Sequence, residues 1–195
     1  ADVYEKTLFD TIYHEHVAYH SVQPLVSFLA ANGLELIETL RVEPHGGSLR
    51  AVAQLRGGPR PRGSSVHERI AHERRLGLDK PDTFKKFASD IDALKQELGA
   101  LLRKLRSEGK RIAGFGAPAK ATTLMHHFGL GPDLIEFIVD DSPLKQGLFT
   151  PGHHIPVLPS KAIADYMKTA RNAFAPKKVF MDGAIVPGSI VGELA

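Results

Sequence analysis

The sequence has 195 residues and contains neither cysteine nor tryptophan. Without cysteine, disulfide scaffolds, thiolate zinc sites and cysteine nucleophiles are excluded. The sequence also lacks an apolar run of roughly 20 residues, the length that a membrane-spanning helix needs, and its first residues do not follow a signal-peptide pattern. Hydrophobic residues make up 43% and charged residues 24%, which is ordinary for a globular domain and excludes disordered and fibrous classes. We therefore expect a soluble, cytoplasmic protein without a membrane partner.

Basic residues are concentrated in the middle of the chain. The formal net charge is +3, and residues 59–111 hold fourteen Lys and Arg against eight Asp and Glu. These charges alternate with acidic residues and carry no interleaved aromatic rings, which favours a solvated helix face over a nucleic-acid surface. No nucleic-acid partner is predicted.

Residues 1–58 combine a helix with a pair of strands. Ser21 before an apolar stripe and Asn32-Gly33 after it are typical of the cap and the stop of a helix. Two strand-like runs follow at residues 34–41 and 48–55. The short connection between these runs predicts antiparallel pairing.

Residues 59–109 are predicted to be helical after a stretch rich in glycine and proline. Ser65 and Glu68 have the spacing of a capping box and open a helix to about Leu76. Asp82 is the predicted cap of a second helix, whose apolar positions alternate gaps of three and four residues as in a heptad seam. The seam positions are Phe84, Phe87, Ile91, Leu94, Leu98, Leu101 and Leu105. This seam fits either a helix packed on a neighbouring domain or a homodimer formed through the 82–108 helix.

Residues 110–195 change to an α/β rhythm. A strand at 111–115, a helix at 118–128 and a strand at 135–139 have the order that opens a parallel nucleotide-binding sheet. Further elements are predicted as a strand at 157–158, a helix near 160–169, and strands near 179–182 and 184–186.

A glycine-rich turn joins the first strand of this part to its helix. Gly114 and Gly116 let the backbone turn tightly and approach a ligand, and Ala117-Pro118 leads into a helix whose first N–H groups favour an anion. Lys120 lies where the helix dipole disfavours a cation, which indicates a negatively charged ligand. Asp140 ends the next strand, at the position of a ribose-binding acid in dinucleotide folds. A turn that only tightens the strand–helix junction is the structural alternative.

Tyr13-His14-Glu15-His16 places two imidazoles, a carboxylate and a phenol within four residues. This set supplies a base, a group that fixes the histidine tautomer, and a hydrogen-bond donor. Metal binding competes with this interpretation, but the pattern lacks the i, i+4 spacing of a zinc-binding pair and no third ligand is evident, so no metal site is predicted. Histidines that only satisfy loop backbone groups are the structural alternative.

Five segments, taken in order, resemble one known family. They are residues 9–16, 44–50, 114–120, 142–147 and 150–152. Their sequences are similar to those of the S-adenosylmethionine-dependent sugar C-methyltransferases, which act on nucleotide-linked keto sugars. The resemblance covers about residues 5–158.

The resemblance implies an α/β fold in three parts. Residues 1–58 would be the C-terminal remnant of a class I methyltransferase sheet, with the segment 13–16 as its histidine loop. Residues 59–109 would be a long helical linker. Residues 110–195 would be a small Rossmann-like domain with a parallel sheet that holds the nucleotide sugar. The cofactor S-adenosylmethionine would be bound mainly by a region outside this chain. The chain is therefore expected to be the C-terminal half of an enzyme and to be inactive alone.

Matched residue by residue, the resemblance also implies roles. His16 would remove a proton next to the ketone, and the resulting enolate carbon would take the methyl group. Glu15 would orient His16 or bind a sugar hydroxyl, Tyr13 would donate near the keto oxygen, and His14 and His45 are further candidates for the same pocket. The residues expected to bind the nucleotide diphosphate are Gly114, Gly116, Ala117, Pro118, Lys120, Asp140, Lys145 and Gln146.

Two functions of other classes stay open. An NAD-dependent oxidoreductase fits Gly114, Gly116 and Asp140, but Ala119 replaces the third glycine of its fingerprint and no hydride-transfer residues are evident. A non-catalytic dimerisation module fits the apolar seam of the 82–108 helix.

Overall fold

The computed structural model describes residues 1–165. The described residues divide into two compact units, the first formed by Ala1–Thr11 and Glu15–Asp90, the second by Ile12–His14 and the described residues from Ile91 onward. The helices in chain order are α1 (Asp2–Glu5), α2 (Val22–Ala31), α3 (Ser64–Leu76), α4 (Pro81–Ser107) and α5 (Ala119–Phe128). The strands are β1 (Leu34–Val42), β2 (Ser48–Leu55), β3 (Ala113–Phe115), β4 (Phe137–Val139) and β5 (Val157–Leu158), and short 3₁₀ helices lie at Phe9–Thr11 and Pro44–Gly46.

The sheet of the first unit is the predicted antiparallel pair. Leu34 lies opposite Leu55 and Val42 opposite Ser48, with an irregularity between Leu36 and Glu38. Leu36 and Ile37 are adjacent and both buried, because this irregularity interrupts the alternation of side chains between the two faces of β1. The predicted pairing of the two strands is confirmed.

Helices α2 and α3 pack on β1. Val22, Leu36 and Val66, one residue from each of these elements, are fully buried in one cluster. Burying an aliphatic side chain stabilises a fold by about 1.5–3 kcal/mol, so each of these three residues contributes on that order. The half-buried side chains around the cluster are Leu25, Val26, Leu29, Leu49 and Ile70.

The helix starts differ from the predicted caps. Ser21 occupies the N-cap position of α2 without a side-chain cap bond, and the Val22 N–H donates instead to both carboxyl oxygens of Glu73, at 2.9 and 2.8 Å. The predicted capping box is wrong, because α3 begins at Ser64 with Gly63 as its N-cap. The Ser65 hydroxyl instead accepts the N–H of Thr39 at 3.1 Å and thereby ties α3 to β1.

Helix α4 has 27 residues and ends before Gly109, which confirms the predicted stop. Its first residue is Pro81, so Asp82 lies inside the first turn and pairs with Lys85 rather than capping the helix. Ile91 of the predicted seam is buried, whereas Phe84 is 53% exposed. The homodimer through this helix stays a prediction, as does the three-part division of the chain.

The second unit contains a parallel sheet in the order β3-β4-β5. All three residues of β4 are buried, as expected for the central strand of a parallel sheet. Met125 and Phe128 of α5 are buried in the same unit. The predicted α/β fold class is confirmed.

Two strands of this sheet are shorter than predicted. The N–H groups of Leu134 and Ile135 bond to the Gly131 carbonyl in a turn, and β4 therefore begins only at Phe137. Residues 161–165 are helical, in agreement with the predicted helix after Ser160, but the rest of that helix and the strands predicted near 179–182 and 184–186 lie outside the described residues. Within residues 1–165, no helix is both long and apolar enough to cross a bilayer.

Candidate functional site

The glycine turn lies at the carboxyl ends of β3 and β4. β3 ends at Phe115, and α5 begins at Ala119. The N–H of Gly116 donates to the Val139 carbonyl at 2.7 Å, which fastens the turn to the end of β4. In open α/β sheets this edge is where ligands bind.

The two glycines of the turn are required for different reasons. A Cβ on Gly114 would lie only 2.9 Å from Cγ1 of Ile138, so glycine is needed there for close packing of β3 on β4. Gly116 has φ of +85°, a backbone conformation that other residues adopt at a cost, although a Cβ there would have space. Gly114 therefore serves close packing, as expected if the turn only tightens the strand–helix junction. The open space at Gly116 is compatible with a bound ligand.

Asp140 joins the turn to the loop that follows β4. One carboxylate oxygen accepts the N–H of Ala117 at 2.7 Å and lies 3.0 Å from the Lys145 ammonium nitrogen. The other oxygen accepts the N–H of Ser142 at 2.8 Å. The main-chain carbonyl of Asp140 accepts the side-chain N–H of Gln146 at 2.9 Å. Four of the predicted nucleotide-binding residues are thus brought together here: Ala117, Asp140, Lys145 and Gln146.

These contacts set the charge of Asp140. Burial alone would raise the pKa of the Asp140 carboxyl, but the N–H groups of Ala117 and Ser142 and the ammonium of Lys145 together hold it below its ordinary value. The carboxylate is therefore ionised throughout the neutral range.

The start of α5 presents a proline and a lysine. Pro118 has φ of −71° and ψ of 160° and is the N-cap of α5. It was predicted as the first helical residue, which is Ala119 instead. Lys120 lies half-buried in the first turn of the helix. The first N–H groups of a helix have no partner in the preceding turn, so this end of α5 favours an anion.

The loop after Asp140 is built from hydrogen-bonded turns. The N–H of Gly147 donates to the Val157 carbonyl and the N–H of Val157 to the Leu148 carbonyl, both at 2.8 Å, which fixes the loop on β5. Three large apolar side chains of this loop stay exposed, Leu144 at 87%, Leu148 at 57% and Phe149 at 63%. The loop thus offers polar anchors on its inner side and apolar surface to solvent.

His16 of the histidine loop is held by backbone. Its Nδ1 lies 2.8 Å from the Thr11 carbonyl oxygen, and its ring meets the Tyr19 ring edge-on at 6.2 Å. Tyr19 donates its hydroxyl to the same carbonyl at 2.5 Å. A carbonyl can only accept, so in the neutral ring Nδ1 carries the proton and Nε2 carries the lone pair.

Thr11 and Tyr19 were not predicted to belong to the site. The contact of His16 is to a main-chain carbonyl, which leaves no signature in the sequence. An aromatic residue three positions after His16 is the one available signal for Tyr19.

The other predicted residues of the histidine loop lie as follows. Tyr13 is half-buried, with its ring edge-on to the His14 ring at 5.6 Å, and His14 and Glu15 are exposed. His45 lies in the 3₁₀ helix between β1 and β2. Among the described residues, no group of three or more His, Asp or Glu side chains is placed to hold a metal ion.

Comparison with known proteins identifies a family. Residues 43–170 match the family of C-methyltransferase C-terminal domains. This chain belongs to that family. The C-methyltransferase C-terminal domain described here is also similar to the C-methyltransferase NovU of Streptomyces niveus, with 32% identity over 173 residues.

The family match covers the glycine turn of the candidate site and not the histidine loop. The family match of this C-methyltransferase C-terminal domain includes the glycine turn, Asp140 and Lys145, but it begins after the histidine loop. The similarity to NovU covers 87% of this chain and 41% of the relative, so the chain spans about two fifths of the length of that protein.

Proposed function

We propose that this chain is the nucleotide-sugar-binding part of a C-methyltransferase and that it also supplies the base of the reaction. Its second unit holds the diphosphate of a nucleotide-linked keto sugar at the glycine turn, and His16 removes the proton from the carbon that is methylated. The observation that carries the proposal is the glycine turn at the carboxyl edge of a parallel sheet, in a chain that belongs to the C-methyltransferase C-terminal domains.

The chemistry of the turn favours a diphosphate. Anions bind at helix N-termini because the N–H groups and the dipole point at them. Lys120 in the first turn of α5 adds a full positive charge, and Gly116 leaves space for the ligand to approach the backbone. The exposed ring of Phe149 and the exposed side chain of Leu148 offer apolar surface on which a flat nucleobase can pack.

The proposed role of His16 follows from its tautomer. With Nδ1 held on the Thr11 carbonyl, Nε2 is the atom that accepts a proton. The C–H bond next to the ketone breaks, the proton moves to Nε2, and its electron pair forms an enolate. A donor at the keto oxygen stabilises the enolate, and Tyr13 is the residue proposed for it.

The charge of the turn favours the diphosphate over the methyl donor. S-Adenosylmethionine, which would supply an electrophilic methyl group, carries one carboxylate beside a sulfonium and an ammonium and is positive overall, whereas a diphosphate carries several negative charges, which Lys120 and the helix N–H groups attract. The proposal therefore assigns this turn to the nucleotide sugar alone.

The proposal is tested by titrating the 195-residue chain with thymidine diphosphate and uridine diphosphate, with NAD as the comparison ligand. A charge-assisted hydrogen bond contributes about 1.5–3 kcal/mol, so Lys120→Ala is expected to weaken diphosphate binding roughly ten- to hundredfold. Because salt screens the charge of Lys120, the loss should shrink as the ionic strength rises.

Lys110→Ala is the matched control, because Lys110 precedes β3 and so lies at the opposite end of the same strand. It removes the same charge and should leave the affinity unchanged. Preference of the chain for NAD would instead favour the oxidoreductase, and a diphosphate affinity indifferent to Lys120→Ala would disprove the assignment of the turn.

A further inference from the structure

The carboxylate of Asp140 is almost completely used within the protein. Its side chain is 11% exposed, and it bonds to the Ala117 N–H, the Ser142 N–H and the Lys145 ammonium. A carboxylate offers about four acceptor positions, and three of them are filled by these groups. The N–H of Asp140 itself donates to the Leu158 carbonyl of β5 at 3.0 Å, so the residue is fixed at its main chain as well.

Ala117, whose N–H bonds to Asp140, lies at the entry to α5. Ala117 lies between Gly116, which has a positive φ, and Pro118, the N-cap of α5. Its N–H is turned inward to Asp140, and the bond therefore sets the path by which the chain enters the helix. Removing the acceptor frees the turn that leads into α5, and the first N–H groups of this helix are the ones proposed to meet the diphosphate.

Lys145 is the second group that Asp140 places. The ammonium lies 3.0 Å from the carboxylate and is 42% exposed, so it stays at the surface beside the turn. An opposite charge at this distance fixes the ammonium and offsets the negative charge that Asp140 would otherwise present to an anion.

We propose that Asp140 is a positioning residue for the anion site, which holds the glycine turn and Lys145 in place, and that it is not a ligand of the ribose. This inference rests on the proposed function of the turn. It differs from the role that the sequence position suggests, because an acid that follows the second strand of a dinucleotide fold binds a ribose hydroxyl.

Two anions that differ only in the nucleoside separate these roles. Inorganic pyrophosphate and thymidine diphosphate are titrated into the wild-type chain and into the variants Asp140→Asn and Asp141→Asn. Because the turn and Lys145 serve both ligands, Asp140→Asn is expected to weaken both by the same factor, about tenfold or more. Asp141→Asn is the matched control: it removes the neighbouring charge, whose side chain bonds to Ser160, and should leave both affinities unchanged.

A second measurement needs no variant. In the wild-type chain the amide proton of Ala117 should be protected from solvent exchange, stay protected when thymidine diphosphate is added, and shift in its resonance when Asp140 is protonated at acid pH. This signature belongs to the bond between Asp140 and Ala117 and would survive even if Asp140→Asn failed to fold.

The outcomes are distinguishable. Loss of thymidine diphosphate binding with normal pyrophosphate binding in Asp140→Asn would make the residue a nucleoside ligand and overturn the inference while the proposed function stands. Unchanged affinities in Asp140→Asn, or an unprotected Ala117 amide, would overturn it as well. A wild-type chain that binds neither anion would refute the proposed function, and the Ala117 amide would then still decide whether Asp140 holds the turn.

Discussion

At Glu73, a single carboxyl group takes the place of a local helix cap. The residue is 5% exposed in α3, and both its oxygens accept the N–H of the fully buried Val22 at the start of α2. The contact joins residues 51 positions apart and lies beside the cluster of Val22, Leu36 and Val66. Its loss leaves a buried donor without an acceptor.

We expect Glu73→Ala to lower the free energy of unfolding by about 1–3 kcal/mol, the cost of an unsatisfied buried polar group. Glu73→Gln keeps one acceptor oxygen and should cost less. Urea unfolding measures both, with Glu68→Ala, an exposed glutamate of the same helix, as the control. An equal loss of unfolding free energy in Glu68→Ala would indicate that Glu68 caps α3, as the capping box predicted.

His16 carries a chemical prediction at the same scale. In the complete gene product, His16→Ala should reduce turnover by about 10²–10⁴-fold, the usual contribution of a positioned base. The affinity for thymidine diphosphate should not change, because that ligand is assigned to the glycine turn. Steady-state kinetics test the loss of turnover, and a binding titration tests the unchanged affinity. The control is His20→Ala, since His20 is an exposed histidine four residues further on. Near-normal turnover of His16→Ala would move the base to another residue such as His14.

The elements could be predicted because their signals are local. The apolar period and Asn32-Gly33 predict α2 to within a residue, and two strand-like runs with a short connection predict both strands of the hairpin. The helix caps could not be predicted in this way. Ser65 bonds to Thr39, 26 positions away, and no spacing within α3 records that partner.

In the candidate site, too, the features with local signals could be predicted and the contacts with distant main-chain groups could not. The glycine turn and the start of α5 follow from the order strand, glycine, helix. Two of the three partners of the Asp140 carboxylate are main-chain N–H groups, those of Ala117 and Ser142, and the partner of the His16 Nδ1 is the main-chain carbonyl of Thr11. Since every residue carries such groups, the sequence cannot single these out.

One ion-pair cluster links three elements at the other edge of the parallel sheet. Glu136, just before β4, bonds to Arg106 in the last turn of α4 at 2.9 Å and to Arg111, before β3, at 2.7 Å. The Arg111 guanidinium, and after it that of Arg106, hold the pKa of the Glu136 carboxyl below its ordinary value, although partial burial opposes them. A carboxyl with a lowered pKa stabilises the folded state above its unfolded pKa, and the stabilisation is lost as the pH falls through the folded pKa.

Glu136→Gln should therefore lower the melting temperature at neutral pH by roughly 2–4 °C, as expected for a loss of about 1 kcal/mol from a partly exposed cluster. The difference from the wild type should shrink as the pH falls below the ordinary pKa of glutamate, and it should vanish below the lowered pKa of Glu136 in the folded protein, where the wild-type carboxyl is protonated as well. Thermal melts from neutral to acid pH measure this, with the exposed Glu108→Gln as the control. A difference that stays constant with pH would mean that packing, and not charge, is the contribution of Glu136.

At the scale of the whole molecule, the proposed function divides the two ligands between different regions of the enzyme. The chain spans about two fifths of the length of the C-methyltransferase NovU, and a glycine turn joins β3 of its parallel sheet to α5. That turn is proposed to hold the nucleotide sugar. The binding of the methyl donor is then expected from sequence outside these 195 residues.

We therefore expect the 195-residue chain to bind thymidine diphosphate and to show neither tight binding of S-adenosylmethionine nor methyl transfer. The first turn of α5 with Lys120 favours a diphosphate over a ligand that is positive overall, and no glycine-rich strand–turn–helix precedes Tyr13 in the sequence. Calorimetry with both ligands on one preparation tests this, and the heat of diphosphate binding shows that the preparation is folded and competent. Lys120→Ala should reduce only the diphosphate signal. Micromolar binding of S-adenosylmethionine to this chain would contradict the division and assign the donor to one of the two units described here.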